Sequence, residues 1–507
     1  MRLPPGRLVL GGLSLANLWL IGNWAELFNL APGNAYYMDA GASDYVACIL
    51  DVAILGLLLA GAAWAAVCSG RRWALMLARV AFIASLLIPA DRLRKDVLGI
   101  EVVPFLTTLR SAGVKGVALA AAALIATGLV MRWHRRLFRM VSGVVLALSP
   151  FAMLTAGRAL WIVVHDNPTR LFAPGRFASA LPAPPDSSRR VVLIVFDELD
   201  QRLVFGHRPA GLALPAFDRL REEAFSAANA LSPARTTQVS MPAFVTGLRL
   251  RDAVPSAPDE LSLAVMDTSA SVAWSRAPNV FGDARAMGLN AALVGWSHPY
   301  CRVLHAWLVS CHWRPSARAL ERGQEHGFAV AVLDQVAALS PWRTRRQHVN
   351  DYLSLIAASR VAVSDPSLGL VLVHLSVPHL PAIWDRERAR FTTNSYTYSG
   401  YIDNLALADR ALAELRSAME TAGVWERTSL VVTGDHSWRE AARYDGHEDR
   451  RVPYLVRVAG ETSPIAYTSA LETRQTRWLA GALLNGTVST TTAVAAWFDH
   501  RQTEAEP

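Results

Sequence analysis

The sequence predicts a chain in two parts: a bundle of about five transmembrane helices, then an α/β domain built on a mainly parallel sheet. Three observations predict it. Apolar residues make up 52% of the 507, and they crowd the N-terminal third in runs near the ~20 residues that a helix needs to cross a bilayer. Past residue 190, short continuous apolar runs alternate with helix-like stretches, the pattern of parallel strands joined by crossover helices. Between the two lies LFAPGRFASALPAPPDSSRR, a Pro/Ala/Ser-rich linker. The expected division is therefore 1–165 membrane domain, 166–190 linker and 191–507 catalytic domain.

The apolar runs fall at residues 8–30, 45–69, 73–90, 114–131 and 140–164. Arg2 and Arg7 precede the first, as in a signal peptide, but Asn17, Asn23 and Glu26 lie within it and no small-residue cleavage site follows, so it reads as a retained helix. Arg2 and Arg7, Arg71 and Arg72, and the run RWHRRLFR (132–139) share one side if there are five crossings, which makes that side cytoplasmic. Everything after residue 165 then lies outside a bacterial-type cytoplasmic membrane, on its periplasmic or extracellular face. The loop with Arg92, Arg94, Lys95, Arg110 and Lys115 runs against this bias. Its PFLTTLRSAGVKG segment reads either as an amphipathic helix on the outer leaflet or as a solvated loop.

The net charge of +8 belongs to the membrane part: residues 1–165 hold 15 Lys+Arg and 7 Asp+Glu, and the remainder holds 35 of each. A neutral extramembrane domain offers no electrostatic footprint for a polyanion, which excludes nucleic acid as a partner. Cys48 and Cys68 belong to the second apolar run, whereas Cys301 and Cys311 flank RVLHAWLVS in the outer domain, where an oxidising compartment can join them.

In the α/β part the first strand is VVLIVF (191–196), a run suited to burial on both faces. AALVGW (291–296), LVLVHLSV (370–377) and SLVVTG (429–434) follow, with the helix-like IDNLALADRALAELRSAMETAG between the last two. TRQTRWLAGALLNG reads as a closing amphipathic helix and HRQTEAEP as a frayed tail. Functional groups of such sheets gather beyond the strands' carboxyl ends. Asp197 and Glu198, His374 and His379, and Asp435 and His436 all lie at such ends, with His447 in the following loop.

An Asp after a strand is often only a helix cap, and a lone His is often structural. Together, however, Asp197, Asp435 and His436 offer the carboxylate and imidazole mixture that suits a divalent ion, Zn or Mn above all, with Mg or Ca also allowed. Such an ion would activate a hydroxyl, and ARTTQVSMPAFVTG (234–247) supplies Thr236, Thr237, Ser240 and Thr246.

These residues carry a resemblance. The acid after VVLIVF, the hydroxyl before TG in TTQVSMPAFVTG, the PH of SVPHLP, the DH of VVTGDH and the His before VPYL occur in the order of the alkaline phosphatase superfamily. Residues 191–460 resemble its sulfatase-like branch, and the anchored layout is similar to the lipoteichoic acid synthases and lipid A phosphoethanolamine transferases. The resemblance implies a sulfatase-like α/β fold and one or two ions. It also implies that the nucleophile stands nine residues before the Thr of TG, at Thr237, with Thr236 the runner-up. Asp197, Thr237, Asp435 and His436 would bind metal, and whether Glu198 joins Asp197 as a further ligand is left open. His379, His447 and His374 would hold substrate or a second ion, and Arg235 or Arg439 would replace absent lysines. The aligned residue is Thr rather than an oxidisable Cys or Ser, the SMPAF segment lacks the family's Arg, and the only lysines are Lys95 and Lys115. All three departures favour phosphoryl over sulfuryl transfer. The expected function is a membrane-bound phosphotransferase that moves a phospholipid-derived phosphoethanolamine or phosphoglycerol group onto an envelope glycan or lipid. An anchored phosphodiesterase or sulfatase-like hydrolase, and a non-catalytic binding protein, are the alternatives.

Overall fold

A computed structural model describes residues 4–30, 40–94, 114–166, 175–183, 189–315, 328–340, 343–393 and 399–503. Most of the PFLTTLRSAGVKG segment, parts of the linker and the last four residues of the tail lie outside the described residues. The chain forms two compact units: Met1–Ala173 with Arg318–Thr344, and Pro174–Ala317 with Arg345–Pro507. The 318–344 segment thus departs from the single continuous 191–507 domain that the sequence predicts.

The first unit is helical: α1 (Pro5–Trp19), α2 (Ile21–Leu27), α3 (Ala42–Cys68), α4 (Arg72–Arg92), α5 (Val114–Ala147) and α6 (Ser149–Trp161). Helix α3, helix α4 and the stretch Gly116–His165 are long and apolar enough to cross a membrane, and α1 with α2, bent by 58°, makes up to four. Among the described residues, then, three or four helices are long and apolar enough to cross, where the sequence predicts about five. The fourth and fifth apolar runs share one 50-residue helical stretch, because RWHRRLFR interrupts hydropathy without a helix breaker and Arg is a good helix former. Close contact holds α1 on α3. A Cβ on Gly12 would lie 2.3 Å from the Gly56 carbonyl oxygen, so small residues set the approach of these helices. Asn17 supports the same core, accepting hydrogen bonds from Trp24 (2.9 Å) and Thr155 (2.8 Å).

The second unit is an α/β domain. Its main sheet has eight strands: β1 (Arg190–Asp197), β2 (Phe225–Leu231), β3 (Asn290–Ser297), β4 (Ser310–Pro315), β5 (Leu368–Pro378), β6 (Thr428–Gly434), β7 (Tyr454–Arg457) and β8 (Ile465–Glu472). Their order is β8-β2-β7-β6-β1-β5-β3-β4. Only β7 runs antiparallel to its neighbours. Every residue of β1, β5 and β6 is buried, as expected of central strands covered on both faces. A core cluster joins Val192, Ile194 and Phe196 of β1 to Tyr401, Leu405 and Leu412 of helix Ser399–Thr421. This arrangement aims the carboxyl ends of β1, β5, β6 and β3 at one edge of the sheet.

Candidate active site

At that edge β1 ends in Asp197 and Glu198, and β6 is followed directly by Asp435 and His436. The two ends are laced together: the Asp435 N–H donates to the Phe196 carbonyl (3.1 Å), and the His379 N–H, just past β5, donates to the Asp197 carbonyl (3.2 Å). Helix α7 (Thr237–Thr246) adds the hydroxyl. Thr236 is its N-cap in extended conformation, Thr237 its first residue and Gly247 its left-handed C-cap at φ 75°. That cap explains the TG pair physically. The turn demands positive φ, and a Cβ at Gly247 would meet the Trp478 ring at 2.8 Å.

The Thr237 hydroxyl lies 2.7 Å from Asp435 Oδ2, 3.5 Å from Asp197 Oδ2 and 3.3 Å from His436 Nε2. His436 Nδ1 donates to the Ser437 carbonyl at 2.9 Å, which leaves Nε2 as the lone-pair nitrogen facing the cluster. Asp435 Oδ1 accepts backbone N–H groups from Glu198 (2.9 Å) and His436 (2.6 Å). Burial alone would push Asp435 up, but His436, His374, these amides and the Thr237 hydroxyl together hold it below the ordinary carboxylate range. Asp197 moves the other way. Burial, then the Asp435 and Glu198 carboxylates, raise it well above that range.

Two buried carboxylates at one site call for a cation, and the residues fit one. Asp197 Oδ1 is buried with no hydrogen-bond partner among the described residues. Asp197, Asp435 and His374 bring ligand atoms within 4.8 Å of one another, and all three are buried. His374, placed by the sequence with substrate or a second ion, therefore stands beside the carboxylate pair. Its Nδ1 lies 2.9 Å from the Tyr300 hydroxyl, and burial lowers its pKa to about 4, so it is neutral and able to ligate. A buried Asp-His-Asp group of this kind could hold a metal ion, with the Thr237 hydroxyl beside it.

Residues 191–451 match the family described as type I phosphodiesterase / nucleotide pyrophosphatase. The chain belongs to that family, within the alkaline phosphatase superfamily. No curated protein matches the chain. Solved structures with a similar fold include Ps i-CgsB in complex with k-i-k-neocarrahexaose, at 14% identity and a TM-score of 0.45 over 61% of this chain and 76% of that one. Phosphonate monoester hydrolase of Agrobacterium radiobacter matches at 13% identity and 0.38, over 57% and 72% of the two chains. The lipoteichoic acid synthase LtaP from Listeria monocytogenes matches at 11% and 0.40, over 60% and 75%.

Within this phosphodiesterase-family domain the remaining predicted residues are distributed unevenly. Glu198, at φ 64°, turns its carboxylate to Arg439 (2.8 Å) rather than joining the Asp-His-Asp group. Tyr401 fixes that turn, donating to the Glu198 carbonyl at 2.6 Å while stacking on Trp438 at 3.9 Å. Arg439 is part-exposed at the rim. His379 is partly exposed, with its ring 5.2 Å from that of Trp296. Thr236 is exposed and makes no capping hydrogen bond. Arg235 is exposed and paired with Glu448, next to the equally exposed His447. That pair places the His447 loop beside the start of α7, but His447 itself is not among the residues clustered on Thr237.

One group escapes sequence reasoning. His298, fully buried just past β3, donates from Nε2 to the Thr237 carbonyl oxygen at 2.8 Å, and its ring packs edge-on against Trp274 at 5.0 Å. Burial lowers its pKa to about 4, so it acts as a neutral donor. The signal was available, since SHPY follows AALVGW as DEL follows VVLIVF. A disulfide joins Cys301, two residues after Pro299, to Cys311 on β4.

Proposed function

We propose that this chain is a membrane-bound phosphotransferase that forms a phosphothreonine ester at Thr237, taking a phosphorylated headgroup from a phospholipid and passing it to an envelope glycan or lipid. The observation that carries the reading is the position of the Thr237 hydroxyl, within 3.5 Å of Asp197, Asp435 and His436 at once. Asp197, Asp435, His436 and His374 would hold a divalent ion, Zn or Mn by their chemistry. Bound there, such an ion lowers the pKa of a hydroxyl and neutralises charge on phosphoryl oxygens. The residues do the rest.

Thr237 Oγ1 attacks the phosphorus as the bond from phosphorus to the diacylglycerol oxygen breaks. Asp435 Oδ2, 2.7 Å away, accepts the hydroxyl proton, which leaves with the diacylglycerol oxygen. In the second half the acceptor hydroxyl attacks the same phosphorus, the bond to Thr237 Oγ1 breaks, and Thr237 regains a proton. The His298 bond to the Thr237 carbonyl holds the first turn of α7 in place throughout. With no lysine beyond Lys115, the exposed Arg439, paired with Glu198, would meet a phosphoryl oxygen.

The apolar helices, the disulfide and the basic-loop bias support a multi-pass protein of the bacterial cytoplasmic membrane with this domain on the outer face. The family's own description favours a second reading, an anchored phosphodiesterase in which water takes the acceptor's place. Intact mass of the full-length protein after incubation with a lipid extract tests both. A covalent headgroup adduct mapped to Thr237 is expected, and its transfer to an added glycan or lipid separates transferase from hydrolase. An adduct on Thr236 or Ser240 overturns the nucleophile assignment.

A further inference from the structure

The helix Phe328–Ala337 comes from the middle of the sequence that otherwise builds the α/β domain, yet it belongs to the unit of apolar helices. Polar bonds hold it there. The Gln335 side chain, 1% exposed, donates to the Asp44 carbonyl at 2.9 Å, and the Gln335 carbonyl accepts from the Asn23 side chain at 3.2 Å. Arg92 of α4 bonds the Ala338 carbonyl just past the helix end. Leu339 packs on the cluster of Leu20, Trp24, Leu27 and Tyr45.

The opposite face is apolar throughout. Leu333 is 69% exposed, with Ala329 and Ala337 exposed one turn to either side of it. Gln335 thus faces protein and Asp334 is half-buried, while an apolar stripe faces outward, the reverse of a helix that meets water. This is the arrangement of a helix bathed in hydrocarbon, where polar side chains bond across helices and apolar ones meet lipid. The helix lies against α3, whose outward Leu57 and Leu58 are 57% and 64% exposed along a stretch apolar enough to span a bilayer. Its bond to α3 falls at Asp44, in the first turn, far from the Arg71–Arg72 end.

We infer that Phe328–Ala337 is a lipid-embedded helix, inserted among the acyl chains of the leaflet opposite the Arg71–Arg72 loop, so that the catalytic chain re-enters the membrane after its last N-terminal helix. Its partner is the bilayer itself. The inference rests on α3 being a membrane span.

The test is site-directed spin labelling of the full-length protein in phosphatidylethanolamine/phosphatidylglycerol vesicles. The background is Cys68→Ser, since Cys48 is buried and Cys301 and Cys311 are bonded to each other. Labels at Ala329→Cys, Leu333→Cys and Ala337→Cys, read separately so that one misfolded variant does not decide the result, are compared with Leu58→Cys on α3 and Thr268→Cys on the water-exposed surface. The expected result is a ratio of oxygen to nickel-chelate collisions several-fold above that of Thr268→Cys at all three positions, approaching that of Leu58→Cys. Nickel accessibility at the three sites equal to that of Thr268→Cys, with Leu58→Cys still in lipid, overturns the inference. Nickel accessibility at Leu58→Cys as well overturns it together with the membrane reading of α3. Neither outcome depends on the enzyme's activity, so failure of the phosphotransferase proposal is distinguishable.

Discussion

Asp435 divides its carboxylate between two tasks: one oxygen takes two backbone amides, and the other takes the Thr237 hydroxyl. Removing the side chain therefore frees two N–H groups and the hydroxyl together. Asp435→Ala is expected to abolish both bound metal and turnover, and metal analysis of the purified variant checks the first. Glu198→Gln differs, because Glu198 faces Arg439; it should keep the metal and lose activity only in part. Thr237→Ala should keep metal and fold while activity falls by about 10³-fold or more, whereas Thr237→Ser should retain the adduct in mass spectra. At this scale the sequence was informative where chemistry-bearing residues directly follow apolar strands, as at Asp197, Asp435 and His436. It offered the position of His298, in the SHPY that follows AALVGW, but not its role, a bond to a backbone carbonyl sixty-one residues away, since no residue pattern records which carbonyl a buried imidazole will meet. It left open whether Glu198 joins Asp197; in the structure Glu198, at φ 64°, pairs with Arg439 at 2.8 Å.

Elements show how little sequence distance matters to the site. Helix α7 is held between a left-handed glycine at one end and a borrowed imidazole at the other. Gly247→Ala should cost roughly 1–3 kcal/mol in denaturant unfolding, from the αL penalty and the Trp478 contact, and should lower activity with it. A second element is capped from afar: Asp409, on helix Ser399–Thr421, accepts the N–H groups of Ala216 (3.0 Å) and Phe217 (2.9 Å) at the start of helix Pro215–Arg221. Burial, outweighing these amides, raises its pKa to about 6. A raised carboxyl binds its proton more tightly in the native state, so its contribution is fully present below about pH 4 and is lost as pH rises through about 6. Asp409→Asn keeps an acceptor without the ionisation. Relative to wild type it should therefore gain about 2–3 kcal/mol of stability between pH 4 and pH 8, read from unfolding midpoints at the two pH values. The parallel strands were legible as apolar runs. The antiparallel β7 was not: YLVR (454–457) is only four residues long and gives no sign of direction.

For the whole molecule, the parity of membrane crossings decides on which side the chemistry takes place. Hydropathy marks where a helix turns polar, not where it ends, which is why two apolar runs became one helical stretch of 50 residues, about 75 Å long. Reporter fusions resolve the parity: one after residue 170 is expected outside the cell membrane and one near Arg136 inside, and two reporters on the same side would place the domain with the N-terminus. The Cys301–Cys311 bond bears on the same question. It staples the segment carrying His298 and Tyr300, which together brace the nucleophile's carbonyl and His374, to the edge strand β4. On the proposed function, an enzyme that takes headgroups from phospholipids would damage the membrane of the cell that makes it if it worked before delivery. A brace that tightens only on meeting an oxidant behaves as a safety catch, released by arrival rather than by synthesis. Protein kept reduced should accordingly bind membranes and fold its sheet yet turn over slowly, and oxidation in vitro should restore the rate, whereas Cys301→Ser with Cys311→Ser should be slow under either condition.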